Sequence, residues 1–485
     1  MRSDPGRSEM IRGLLLWAMP LLALAPKYWM IKHSLYVSGK DILDTDTTQF
    51  GFFGFGDYIY HLYHSGAFEA CRHLPFIPSK TGVCIYSSRM PGLPLLIAGL
   101  AKIVGTQSAD VALAKAVVMA LLASGFLIVL ARDVRVTWVG LLILYAIYLG
   151  PQPLKHGASL EYEEALLADL ALCLAVCASY VLRPDQTASA RRRGAMATVG
   201  VLVAAAMYLV KTTALPALIV MLLAVLASKS IAKPAKFACA AVAILSVAGW
   251  GWHNVRHSDS LHLSSSFNGE NLLRGNDTGA YRIYPEIYLD RIMDSTQATL
   301  KDGTVVPLGD YAHRVKFPDE WSWDAYYHDK AITWLRNNPG TALAFFLKKL
   351  WVTFFEIRQT PVYYSASDKT LEHSLATYLI MDAWMLFARI ATLILVGRAL
   401  WEAVRRRRVE RLWIVAFVLA PFTPFMFVFA YQRHVIPLLI FSGASLAIVY
   451  YSGRSLPVYA YASKIASLME DRALSKTDPQ RIEQG

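Results

Sequence analysis

The sequence predicts an all-α polytopic membrane protein whose unusual polar residues gather in loops on one side of the bilayer. Three observations predict it. The 485-residue chain is 55% hydrophobic and 17% charged with a mean hydropathy of +0.36, too apolar for a soluble domain. Many apolar runs approach the roughly 20 residues that cross a hydrocarbon core about 30 Å thick. The basic residues fall between those runs: Arg132 and Arg135; Arg191 to Arg193; Lys229, Lys233 and Lys236; Arg405 to Arg408. That is the pattern in which short cytoplasmic loops carry the excess of Lys and Arg. It accounts for the formal charge of +12 without nucleic acid, for which there is no aromatic-interleaved basic domain.

With Arg2, Arg7 and Arg12 inside, the elements follow in order. Residues 11–30 lack a small-residue cleavage site and end at Lys27 and Trp29, so they read as a first span rather than a signal peptide. The first loop, 32–110, is then external. Spans follow at 111–131, 137–149, 164–182, 195–210, 215–227 and 237–252, the last leading into a long polar external segment. Residues 375–400, 412–431 and 436–451 complete about ten spans, within a range of about 10 to 12 helices, with both termini cytoplasmic. Two apolar segments break the alternation. Residues 93–104 are too short to cross, and 341–357 carry Lys348 and Lys349 centrally, at about 3 kcal/mol each if inserted. Both are read as external interfacial helices. The organisation expected is a transmembrane module over 1–252, an external subdomain with its interfacial helix over 253–373, C-terminal helices over 374–451 and a cytoplasmic tail over 452–485.

Cys173, Cys177 and Cys239 lie in apolar runs, as small core residues do. Cys71 and Cys84 share the first loop, where a disulfide can form if the loop faces an oxidising compartment. Asn276-Asp277-Thr278 has the form of a glycosylation sequon, which has no meaning in a bacterial chain.

The candidate chemistry sits in the external loops. Asp57 opens an amphipathic stretch with Tyr58, Ile59, Tyr60, His61, Leu62 and Tyr63, and reads either as a helix cap or as a catalytic acid-base group. Asp44-Thr45-Asp46 has DxD spacing, a pattern common in loops. Arg89, in Ser88-Arg89-Met90-Pro91-Gly92, suits a lipid headgroup or a substrate phosphate, since a guanidinium can bind two oxygens at once. Glu161, Glu163 and Glu164 precede or open a helix, where carboxylates complement the macrodipole or take a functional role. Lys211 ends a span, where a lysine can snorkel. Arg433 and His434 form the last small loop.

These residues resemble the polyprenyl-phosphate-sugar-dependent membrane glycosyltransferases of the GT-C fold, particularly the bacterial family 39 group that includes aminoarabinose transferase and resembles protein mannosyltransferases. Asp57-Tyr58 with Ser65-Gly66-Ala67-Phe68, followed by Arg89-Met90-Pro91-Gly92-Leu93-Pro94-Leu95, is similar to that family's first loop. Glu164 with Leu166 and Leu167 resembles its second-loop acid. Leu209-Val210-Lys211-Thr212-Thr213-Ala214-Leu215 resembles an L-T-R-P-T-like turn, with Lys for Arg. Trp252-His253-Asn254 and Gly269-Glu270-Asn271-Leu272-Leu273-Arg274-Gly275-Asn276 are similar to its W-x-R-N and G-x-N-x-x-x-G-N segments, with His253 for Arg. Residues 331–339 with Lys348, and 433–437, resemble its later helix and last loop.

The resemblance implies a GT-C type bundle in a bacterial inner membrane. It also implies transfer of a sugar, with inversion, from a polyprenyl-phosphate donor to a lipid (lipopolysaccharide included), glycan or protein acceptor at the periplasmic face. Asp57 would be the base. Arg89, Lys211 and Arg433 would stabilise the leaving phosphate. Glu164 would position a sugar or, with Asp57, hold a divalent cation; whether a metal takes part stays open. Tyr60, His61, Glu161, Glu163, His253, Asn254, Asn271 and Asn276 are further candidates for substrate contact. The partners implied are the donor, the acceptor and membrane lipids. From another class, a transporter or flippase of lipid-linked sugars would also want external cations, but would place polar groups at mid-membrane.

Overall fold

The computed structural model describes residues 5–33, 40–44, 55–71, 84–160, 162–182, 188–258, 261–287, 289, 291–300, 302–309, 317–356, 375–428 and 432–452. Among these, eight helices are long and apolar enough to cross a membrane: Ser8–His33, Ser108–Asp133, Glu163–Leu182, Ala190–Val210, Lys233–Ser258, Leu379–Arg405, Val409–Phe427 and Arg433–Tyr450. Gly92–Val104, Trp138–Tyr148 and Thr212–Ala227 are shorter apolar helices; the last two coincide with the two remaining expected spans but are below crossing length, so eight rather than about ten of the described helices are long enough. The chain is an all-α polytopic membrane bundle. Its first crossing is two helices, Pro5–Leu22 and Leu24–His33, because Pro26 has no N–H to return to Leu22.

Glu163–Leu182 is the centre of the bundle. Its apolar window is buried throughout, as expected of a helix that is apolar on every side. It packs against Ala190–Val210, Ser108–Asp133 and Gln432–Ser445. The helices before and after the polar segment therefore share a single core. Lys233–Ser258 lies at the edge, with most of its apolar side chains uncovered.

The described residues between 261 and 356, termed the polar domain, hold a second apolar core in which Leu273, Ile283, Trp323, Tyr327 and Phe345 meet. Two of its helices, Thr278–Ile283 and Glu320–Asn337, are started by side chains: Asp277 accepts from the Gly279 N–H at 2.7 Å, and Asp319 from the N–H groups of Trp321 and Ser322 at 2.9 and 2.8 Å. A short antiparallel hairpin pairs Gln297–Thr299 with Val305–Pro307. The two lysines that argue against insertion of the 341–357 segment have protein partners. In helix Pro339–Phe354, Lys348 donates to the Tyr281 carbonyl at 3.0 Å. Lys349, 1% exposed, donates to the carbonyls of Gly275 at 2.9 Å and Val428 at 3.2 Å. Burial pushes its amine down to about 7.

Cys71 and Cys84 are joined by a disulfide, beside a bridge between Ala70 and Ile85. Cys173, Cys177 and Cys239 are buried free thiols.

Candidate functional site

The first turn of the central helix brings Glu163 and Glu164 to the end of the bundle that adjoins the polar domain. Glu164 is 4% exposed, and a carboxylate so placed needs counter-charge. The Nζ of Lys211 lies 2.6 Å from its Oε1 and 3.0 Å from Glu163 Oε2. Lys211 reaches them because it is the residue at which helix Ala190–Val210 stops, its backbone turned extended. His434 Nε2 sits 3.3 Å from Glu164 Oε1 and 3.4 Å from Arg433 Nε. That nitrogen donates to Glu164 when it carries a proton and accepts from Arg433 when it does not. The Arg433 guanidinium stands 5.5 Å from the Tyr162 ring. His156 faces the same cluster. Burial, and then the Lys155 charge, push its imidazole down to about 3, against the pull of Glu164.

Arg89 reaches this region from the first loop. A Cβ at Gly92 would lie 2.8 Å from the Leu209 carbonyl oxygen, so the absence of a side chain lets helix Gly92–Val104 start against the chain leading to Lys211. The Arg89 guanidinium is held between the rings of Phe55 and Phe267, at 5.0 and 4.7 Å. Burial lowers its proton affinity, and the charges of Glu163 and Glu270 act against that. Glu270, fully buried, pairs with Arg274 one helical turn on.

Asp57 occupies the first turn of helix Phe55–His64, two residues from the Phe55 that Arg89 covers, and is 2% exposed. The neighbouring Tyr58 accepts from the Ser88 N–H at 3.2 Å. Burial and then the Glu320 charge raise the Tyr58 phenol, so it stays protonated.

The geometry thus gathers Glu163, Glu164, Lys211, Arg433 and His434 in one cluster, and the charges of Arg89 and Glu163 act on each other. It places the Asp57 helix against Arg89. The other candidates lie elsewhere or serve the fold. His61 pairs with Glu69 at 3.3 Å, and Tyr60 packs on His61 and His64. His253 stacks on Trp250 and meets the Tyr86 carbonyl at 3.0 Å. The Asn254 amide donates to the carbonyls of His262 and Ser264, and that of Asn276 to the carbonyls of Leu272 and Phe427. Asn271 is half-buried on helix Asn268–Arg274. Glu161 lies outside the described residues, as do Thr45 and Asp46 of the DxD pattern.

Among the described residues, one group of three metal-ligating side chains comes together, His61, Glu69 and Cys71. The Cys71 sulfur is committed to Cys84, which leaves two donors. Neither Asp57 nor Glu164 belongs to that group.

The chain is similar to the crystal structure of ArnT from Cupriavidus metallidurans in the apo state. The likeness has a TM-score of 0.35 at 12% identity and covers 88% of this chain and 76% of that one. No protein-family model and no curated protein matches. The functional reading therefore rests on the side chains themselves.

Sequence reasoning passed over three acids. Glu270 was legible as one half of a Glu-x-x-x-Arg pair with Arg274. Asp169 was legible as a lone acid inside an apolar run. It accepts from the Tyr148 hydroxyl at 2.5 Å and lies 3.8 Å from Lys27. Glu320 carried no such signal.

Proposed function

We propose that this protein is a GT-C type inverting glycosyltransferase of a bacterial inner membrane. It moves a sugar from a polyprenyl-phosphate donor to a lipid, glycan or protein acceptor at the periplasmic face. The observation that carries the reading is the pairing of Lys211, at 2.6 and 3.0 Å, with the two acids that open the central helix, where His434 lies 3.3 Å from Glu164 with Arg433 beside it, while the charge of Arg89 acts on Glu163 from the first loop. The end of a span is the level of a lipid headgroup, and a leaving phosphate gains negative charge as its bond to the sugar breaks. Fixed cations in a partly dehydrated cleft stabilise that charge.

Asp57 is the base. Attack by an acceptor hydroxyl on the anomeric carbon releases a proton, which a carboxylate within hydrogen-bond reach can take. The new glycosidic bond forms on the face opposite the departing phosphate, so the configuration inverts. Glu164 orients Lys211 and positions the substrate. The polyprenyl chain lies in the bilayer, along the lipid-facing helices.

A flippase or transporter of the same donor is the second reading, and the buried Lys27–Asp169–Tyr148 group is the observation that bears on it. Asp169 lies five residues below Glu164, about 8 Å along a helix, in the same half of the span rather than at the midplane. The enzyme reading is the better supported.

The test uses purified protein, a panel of radiolabelled polyprenyl-phosphate sugars and a crude envelope fraction as acceptor. Wild-type protein transfers label, and Asp57→Asn lowers the rate by about 10²- to 10⁴-fold. Undiminished transfer by that variant sinks the base assignment. Movement of label across vesicles without transfer to any acceptor would favour the transporter.

A further inference from the structure

The bend that carries Arg89, residues 86–89, has no ladder or helix to satisfy its main chain, yet buried N–H groups must find partners. Glu320 supplies them from more than 230 positions away. Its Oε1 accepts from the N–H groups of Tyr86 and Ser87 at 2.9 and 3.1 Å. Its Oε2 accepts from the Ser87 N–H at 3.1 Å and the Ser266 hydroxyl at 2.6 Å.

The knot extends in both directions. The Ser266 N–H returns to the Ser87 carbonyl at 2.9 Å, and the Ser87 hydroxyl donates to Asn254 Oδ1 at 2.7 Å. Ser88 binds the Tyr58 hydroxyl through its N–H, with its own hydroxyl 3.2 Å from the same oxygen. Tyr58 adjoins Asp57, and Ser88 adjoins Arg89.

The bland account of an acid in the first turn of a helix is capping. Here Asp319 already caps helix Glu320–Asn337, and the Glu320 carboxylate points away to another part of the chain.

We propose that Glu320 is a positioning residue of the candidate site. It fixes the 86–88 bend so that Arg89, and through Ser88 and Tyr58 also Asp57, are held in the geometry that transfer requires. The polar domain thereby controls the arrangement of a site whose charged residues lie largely on the bundle. This inference rests on the transferase reading for its kinetic arm. Its structural arm stands alone.

The experiment uses the full chain in lipid nanodiscs with Glu320→Gln, Glu320→Asp and Ser266→Ala. Gln keeps the shape but turns an amide N–H₂ toward donors. Asp keeps both acceptor oxygens on a shorter stem. With misplacement of about 1 Å at a reacting group, Glu320→Gln lowers turnover about 100-fold while the donor KM moves less than about threefold, and Glu320→Asp recovers part of the rate.

In parallel, the modification of Arg89 by a dicarbonyl reagent is followed by peptide mass spectrometry. It is faster in Glu320→Gln than in wild type. Labelling equal to wild type, or turnover within about twofold of wild type, overturns the proposal. If the wild-type protein transfers no sugar, the transferase reading fails and the labelling arm still decides the positioning role. If Glu320→Gln does not fold, Ser266→Ala replaces it, and unchanged Arg89 labelling there overturns the proposal as well.

Discussion

Glu164 and Glu320 are buried almost equally, at 4% and 7% exposed, but they are held by opposite means. Glu164 is surrounded by groups that carry or can carry positive charge: Lys211, His434 and Arg433. Glu320 is held by neutral donors, two main-chain N–H groups and a hydroxyl. The difference separates a site from a joint. A lysine paired with carboxylates can exchange one of them for an arriving phosphate, so its charge is kept available without being stranded in the resting state. Backbone N–H groups cannot swing to a new partner, so a carboxylate they hold fixes the chain around it. On the proposed reading, the acid held by Lys211 and His434 belongs to the reacting end, and the donor-held acid keeps that end in shape.

The sharpest way to break this contrast is Lys211→Met. Removing one partner of a buried ion pair costs about 3 to 5 kcal/mol, and with the lysine side chain 22% exposed the lower end, about 3 kcal/mol, is expected. Thermal unfolding in detergent should fall accordingly, and sugar transfer with it. Lys211→Met combined with Glu164→Gln should recover part of the stability but none of the transfer. Equal stability in Lys211→Met and wild type would remove the distinction at the Glu164 end. Ser266→Ala is the milder counterpart at the other end. It deletes one hydrogen bond to a charged group, about 1.5 kcal/mol, read as a smaller drop in the same unfolding transition.

How much of this was written in the sequence follows from range. Apolar runs and interspersed basic clusters are local, so the bundle and the eight described helices long enough to cross could be read directly, whereas the central place of the Glu163 helix could not. Arg89, Glu164, Lys211 and Arg433 stood out because a charge beside an apolar run is conspicuous, and Asp57, which opens a short amphipathic helix, stood out through the family resemblance. The partner of each was not legible. Nothing near Lys211 says that its stopped helix aims it at Glu163 and Glu164, and His434 looked like a neighbour of Arg433 rather than a ligand of Glu164. Glu320 was hidden twice over. It follows an N-cap aspartate in a polar stretch, where an acid is unremarked, and its partners are main-chain groups, which every residue has. Asn254 and Asn276 show the converse: conspicuous in motif-like segments, their side chains hold carbonyls of the fold.

The smallest effect is a pH dependence confined to the polar domain. Asp324 accepts from the Gly269 N–H at 2.6 Å, but burial outweighs that hydrogen bond and pushes its carboxyl up to about 6. Glu320 moves in the same direction, again with burial as the first cause. An acid whose pKa is raised by folding binds its proton more tightly in the folded state. Stability is then greatest below the unfolded value near 4, falls as pH rises toward about 6, and is level above it. Amide exchange in peptides from 320–337, corrected for the intrinsic pH dependence of exchange, should therefore be slower at about pH 4 than at about pH 6.5. Asp324→Asn should flatten that slope by removing one of the two acids. A slope that survives unchanged in Asp324→Asn would assign the dependence to Glu320, and with it a pH sensitivity of the joint that holds Arg89.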